Sequence, residues 1–225
     1  MRHLDSAAQR ADHELLAALR RGGNNPYAAA TAKALSRAGE HGALWLAAGL
    51  TGAAADPGRR PAWLRATALV GTAHLVSMGA KRVVRRPRPA LPGAPPLLRT
   101  AGRHGFPSSH AASATAAAVA FAPLLSPSPV PALAAAICLS RLVTGVHYPT
   151  DVAGGALLGA VIVQAARRPT GPLVPVLAAA TALTVVLATV PEAVAPLPSP
   201  AAEPRPLGWV VAPLHPLQAA GGDHG

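Results

Sequence analysis

Two long stretches of this chain, residues 108–146 and 171–190, carry almost no charge. They belong to a series of apolar segments at roughly 41–55, 62–80, 108–125, 130–146, 151–166 and 171–190. Charged residues make up only 13% of the chain, against roughly 25% in an ordinary soluble domain. The deficit is concentrated in these segments, which points to a bilayer and not to a soluble core. A spanning helix needs about 20 residues, so 41–55 and 151–166 either extend into their flanks or cross with little tilt. The apolar residues are mostly Ala, Leu and Val, and aromatics are 3%. Ala-rich helices pack closely but insert with little hydrophobic gain per residue.

The flanks divide the 225 residues into one central domain, expected at 41–190, between an N-terminal segment, 1–40, and a tail, 191–225. Residues 5–21 read as an amphipathic helix, with Leu4, Ala8, Ala11, Leu15, Ala18 and Leu19 at helical spacing and Arg20 and Arg21 at its end. Gly22, Gly23, Asn24, Asn25 and Pro26 then break it. An interfacial placement is expected for this helix because an apolar chain follows. Asp5, Asp12 and Glu14 leave it no clean apolar signal-peptide region. Turns are expected at Asp56–Pro61 and at Ser126–Pro129. The one long polar insertion, 81–106, is rich in Arg, Pro and Gly, and a loop of that length is usually functional. The Pro-rich tail from 191 reads as disordered. The net charge of +11 suits contact with anionic membrane lipids; no basic face with interleaved aromatics supports nucleic-acid binding. Cys138 is the sole cysteine, which allows no internal disulfide and no thiolate metal cluster.

Three polar clusters stand at ends of apolar segments: Lys81 to Pro89, then Pro107-Ser108-Ser109-His110, then Ser140-Arg141 with His147 and Asp151. Taken alone each has an ordinary reading. A basic run at a membrane helix end anchors headgroups. Pro-Ser-Ser starts a helix. His147 and Asp151 at i, i+4 are a satisfied polar pair or a metal half-site. If every apolar segment crosses once, all three clusters meet on one membrane face, and ionisable groups there are functional candidates. The combination suits a phosphate monoester or anhydride. Lys81, Arg88 and Arg141 can neutralise nonbridging oxygens. The backbone N–H groups of Ser109 and His110, at a helix N-terminus, can point at the anion, and the Ser108 hydroxyl adds a donor. One histidine can attack phosphorus while the other protonates the leaving oxygen. Asp151 lies four residues from His147 and can fix its tautomer, which makes His147 the better nucleophile and His110 the better acid.

Lys81-x6-Arg88-Pro89, Pro107-Ser108-Ser109-His110 and Ser140-Arg141-x5-His147-x3-Asp151 resemble, in order and spacing, the three signatures of the type 2 phosphatidic acid phosphatases. The superfamily also holds vanadium haloperoxidases and bacterial acid phosphatases. The resemblance covers about residues 81–151. It implies an all-α fold, here a polytopic membrane bundle of five or six transmembrane helices plus the interfacial helix. It implies no metal, with His147 as nucleophile, Asp151 orienting it and His110 as acid. Lys81, Arg88, Ser108, Ser109 and Arg141 would bind phosphate. The second signature usually carries Gly where Ser109 stands, which requires an ordinary φ there. Arg82, Arg85, Arg86, Arg99, Arg103 and His104 fall outside the signatures and are assigned to headgroups. Tyr148 and Pro149 are expected to shape the turn into the next helix.

The chain is also similar to small actinobacterial members of the family proposed to act on decaprenylphosphoryl-phosphoribose, which makes a polyprenyl-linked phosphate or pyrophosphate the expected substrate of a multi-pass membrane hydrolase, with undecaprenyl pyrophosphate, phosphatidylglycerol phosphate and phosphatidic acid as the alternatives. Membrane lipids are the expected surroundings, and no protein partner is expected. A lipid phosphotransferase would use the same phosphohistidine. A haloperoxidase would use the same anion pocket, but those proteins are soluble and larger. A non-enzymatic anion-binding scaffold would not need both histidines and the aspartate. Arginines outside the signatures lie on both faces, so the positive-inside rule gives no sidedness.

Overall fold

The computed structural model describes residues 2–100, 102–125 and 129–167. The sixth apolar segment, 171–190, and the tail lie outside the described residues. The described residues form seven α-helices in order: α1 (Arg2–Gly22), α2 (Pro26–Ala38), α3 (Ala43–Ala55), α4 (Arg60–Val84), α5 (Ser109–Phe121), α6 (Val130–Val143) and α7 (Pro149–Ala166). Among the described residues there is no strand, only an isolated bridge between Pro87 and His104. The all-α expectation therefore holds.

Local chemistry sets the helix starts. The Asn25 side chain accepts from the N–H groups of Tyr27 (2.9 Å) and Ala28 (3.2 Å), and Pro26 opens α2. Asp56 accepts from Arg59 at the α3–α4 turn. Ser108 caps α5 through Ala111 N–H. At α7, Pro149 follows the cap residue Tyr148, whose N–H donates to Asp151 Oδ2 (2.9 Å). α4 ends on Arg85, a left-handed residue (φ 55°).

The core forms around α5. Ala111, Ala112, Ala114, Ala116 and Ala117 are fully buried, and α5 packs against α4, α6 and α7. Such small side chains bring backbones together. A Cβ added to Gly155 or Gly159 of α7 would fall 2.3 Å from Ser108 O or 2.2 Å from Ala112 O, far inside van der Waals contact. At the other end, Trp45 and Phe121 are buried, and Trp63 packs on Phe121 with ring centroids 5.5 Å apart. α7 is long and apolar enough to cross a membrane, and α6 is a shorter apolar helix.

α1 forms where the periodicity placed it, but it docks by a different face. Among its described side chains Asp12, Leu16 and Arg20 are buried, while Leu15 is 51% exposed. The reason is polar: the side of the bundle it meets presents Arg86, Thr150 and the Pro95 carbonyl, which pair with Asp12 and Arg20. The apolar stripe through Ala11, Leu15 and Ala18 stays outward.

Candidate active site

The C-terminus of α4, the N-termini of α5 and α7 and the C-terminus of α6 converge at one end of the bundle, as the alternation of segments requires. The loop 85–108 folds over this end, with Gly105 N–H donating to Arg86 O (2.7 Å). Ser108 N–H donates to Asp151 O (2.8 Å), which ties the start of α5 to the start of α7. His147 sits in the short α6–α7 connection, 1% exposed.

Arginine can only donate, so the 3.1 Å contact from Arg88 Nη1 to His147 Nε2 makes Nε2 the acceptor. The ring proton is then on Nδ1, which faces Asp151 Oδ2 at 3.5 Å. That spacing is beyond a hydrogen bond, and Nδ1 has no other partner. Burial first, and then the charges of Lys81, Arg88 and Arg141, push the His147 pKa well below the ordinary 6.5. The imidazole is neutral, and its Nε2 electron pair accepts from Arg88.

Asp151 is fully buried. Its Oδ1 accepts from Arg86 Nη1 (2.9 Å), and its Oδ2 from Tyr148 N–H. Lys81 Nζ donates to the carbonyls of Gly105 (2.9 Å) and Pro107 (2.5 Å), which leaves one ammonium proton uncommitted. Arg88 also donates to the carbonyls of Gly102 (2.8 Å) and Val146 (2.9 Å). Arg141 differs from both. It is 4% exposed, makes no hydrogen bond among the described residues, and its Nε is buried without a partner. A buried guanidinium without a hydrogen-bond acceptor is costly; its neighbour Arg88 adds a like charge, which Glu40 offsets in part at longer range.

His110, in the first turn of α5, lies within electrostatic reach of Arg141 and His147. Its Nε2 donates to Ser36 O (2.9 Å), so Nδ1 holds the lone pair. Ser109 is the first residue of α5, and its φ is not positive, since His41 and Arg85 are the described non-glycine residues with positive φ. All eight residues singled out from sequence thus lie at one end of the bundle. The arrangement gathers cations and two imidazoles, one of them neutral, at one end of the bundle, chemistry that suits a phosphate.

Several neighbours were not legible beforehand. Arg86, assigned to headgroups, instead bridges Asp151 and Asp12 (2.7 Å to Asp12 Oδ2). Nothing in the basic run sets it apart from Arg82 or Arg85. Asp12 comes from α1, remote in sequence. Gly105 passes so close to the site that a Cβ there would sit 2.7 Å from Asp151 Oδ2; a glycine two residues ahead of Pro107 was the available signal.

Residues 62–171 match the family model described as the PAP2 superfamily. The decaprenylphosphoryl-5-phosphoribose phosphatase of Mycolicibacterium smegmatis is 49% identical over 125 residues, which are 55% of this chain and 69% of that one. The protein of the same name from Mycobacterium tuberculosis is 44% identical over 140 residues, 62% of this chain and 78% of its own. Among solved structures, the transmembrane PAP2-type phosphatidylglycerolphosphate phosphatase from Bacillus subtilis superimposes with a TM-score of 0.58 at 25% identity, covering 70% of this chain and 83% of that one. The chain belongs to the PAP2 superfamily, among its phosphoric ester hydrolases.

Proposed function

We propose that the chain is a multi-pass membrane phosphatase that hydrolyses a polyprenyl-linked phosphate through a phosphohistidine at His147. The observation that carries this is Arg141, a buried guanidinium with no acceptor among the described residues, set near Arg88 and a neutral imidazole. A bound phosphate supplies what Arg141 lacks. It also draws Arg88 from His147 Nε2, freeing the electron pair for attack. Nε2 then forms a bond to phosphorus as the bond to the ester oxygen breaks. A substrate that arrives as the phosphate monoanion brings a proton, which His110 Nδ1 takes up on its lone pair and hands to that leaving oxygen. Asp151 faces the Nδ1–H of the cationic phosphoimidazole and stabilises it. A water that loses its proton to His110 then attacks phosphorus and returns His147 to its neutral form. Lys81, Ser108 and the N–H groups at the start of α5 complete the phosphate cradle.

The substrate class rests on the two mycobacterial relatives, whose name specifies a decaprenyl-linked phosphoribose. The proposed architecture is a domain of residues 41–190 with five or six spans, an interfacial α1 and a separate tail from 191. A lipid hydroxyl replacing water in the second step would give a phosphotransferase with the same intermediate. The test is phosphate release by detergent-purified protein across polyprenyl and glycerolipid phosphates, with and without an acceptor lipid. Release from a polyprenyl substrate, abolished in His147→Ala with the protein still folded and membrane-bound, is expected; full activity in that variant would sink the mechanism.

A further inference from the structure

We propose that Asp12 and Arg86 are positioning residues for this reaction: α1 carries Asp12 to Arg86 and fixes Arg86 on Oδ1 of Asp151, so that Oδ2 is the oxygen presented to His147. This rests on the reading above, in which His147 takes the phosphoryl group. Asp12 lies outside residues 62–171, the part of the chain that matches the family model.

A carboxylate beside an imidazole is useful only if it keeps its orientation. Asp151 is held at both oxygens, by Arg86 Nη1 on Oδ1 and Tyr148 N–H on Oδ2, each at 2.9 Å. The Tyr148 contact is built into the start of α7. The Arg86 contact is not, because Arg86 belongs to a loop. Its guanidinium must be fixed from elsewhere, and Asp12 does this. Asp12 Oδ2 accepts from Arg86 Nη2 at 2.7 Å. Oδ1 accepts from Thr150 N–H at 3.0 Å, and the Thr150 hydroxyl donates to Oδ2. That hydroxyl in turn accepts from Arg86 Nη1 (2.6 Å). One planar fork therefore spans two carboxylates, a geometry a lysine cannot reproduce. The stacking of Arg86 on the Tyr148 ring, 4.6 Å from Cζ to the centroid, holds the fork from the side.

Burial makes the arrangement specific. The Asp12 and Asp151 side chains are 4% and 0% exposed, and that of Arg86 is 26% exposed. Asp12 is the sole described acidic side chain on α1 in contact with this end of the bundle. A docking role alone would be met by Leu16 and Arg20. The further carboxylate, aimed at the partner of Asp151, is what an outer ligand of the site requires. Such outer-shell partners commonly change activity 10- to 100-fold when removed.

The test compares wild type, Arg86→Gln, Arg86→Lys and Asp12→Asn in detergent, each with and without Asp151→Asn. The substrate is whichever of a panel of polyprenyl and glycerolipid phosphates the wild type hydrolyses fastest. Arg86→Gln and Asp12→Asn are expected to lower kcat about 10- to 100-fold with KM within twofold, and Arg86→Lys to recover part of the loss. In the Asp151→Asn background, Arg86→Gln should cause no further fall. An unchanged kcat, a loss confined to KM, or an undiminished loss in the Asp151→Asn background would overturn the proposal. If Arg86→Gln does not fold, Arg86→Lys and Asp12→Asn decide by the same criteria. Wild-type protein that releases no phosphate from any substrate instead sinks the functional reading on which the proposal rests.

Discussion

Burial of Arg141 costs stability. The guanidinium has no hydrogen-bond acceptor among the described residues, and Arg88 lies close to it. Replacing it by a residue of similar volume and no charge, Arg141→Met, should therefore raise Tm, by a gain of about 1–3 kcal/mol. The same change should weaken inhibition by inorganic phosphate about 10- to 100-fold, the worth of a hydrogen bond to a charged group. Thermal unfolding in detergent and phosphate inhibition of turnover check the two halves. The depressed pKa of His147 gives a second prediction. A nucleophile whose pKa is held well below 6.5 is mostly neutral at pH 6.5 and loses its electron pair only as pH falls through the lower value. The acid limb of kcat/KM, corrected for the second ionisation of the substrate, should lie below pH 6.5. Gly105→Ala should lower kcat by displacing the Asp151 carboxylate, since the new Cβ would meet Oδ2 at 2.7 Å. The eight residues at the site were legible because their spacing repeats a family pattern. Arg86 and Gly105 were not, because their roles depend on where a loop of irregular backbone comes to rest.

At the scale of elements, helix starts follow from Asn25-Pro26, Ser108 and Pro149, residues whose capping chemistry is local. The face a helix buries is not local, and α1 illustrates it. Its apolar periodicity points at one face, while Asp12 and Arg20 dock another, drawn by hydrogen-bonding groups more than 70 residues away. The α5–α7 contact depends on Ala112 and Gly159, which allow helix backbones to touch. Gly159→Ala should force the two apart and destabilise the protein by about 1–3 kcal/mol, the usual cost of overpacking. Since Ser108 N–H is bonded to Asp151 O on the same pair of helices, activity should fall along with Tm. A variant that loses neither would mean that the contact is looser than described.

Over the whole molecule, the alternation of apolar segments carries the chemistry to one end of a helical bundle. That much was readable from segment boundaries alone, since successive helices packed side by side reverse direction. The docking of α1 on that end was not readable, because it joins residues separated by 74 and 138 positions. All groups proposed to neutralise phosphate are side chains or helix N–H groups, so EDTA should leave turnover intact. The central claim is that phosphorus passes through His147. It is tested most directly by quenching ³²P-labelled substrate with the enzyme in alkali within one turnover and mapping the label. An alkali-stable, acid-labile phosphoryl group on the peptide containing His147, absent from His147→Ala, is the predicted result. Turnover with no labelled enzyme, or with the label on another residue, would contradict it.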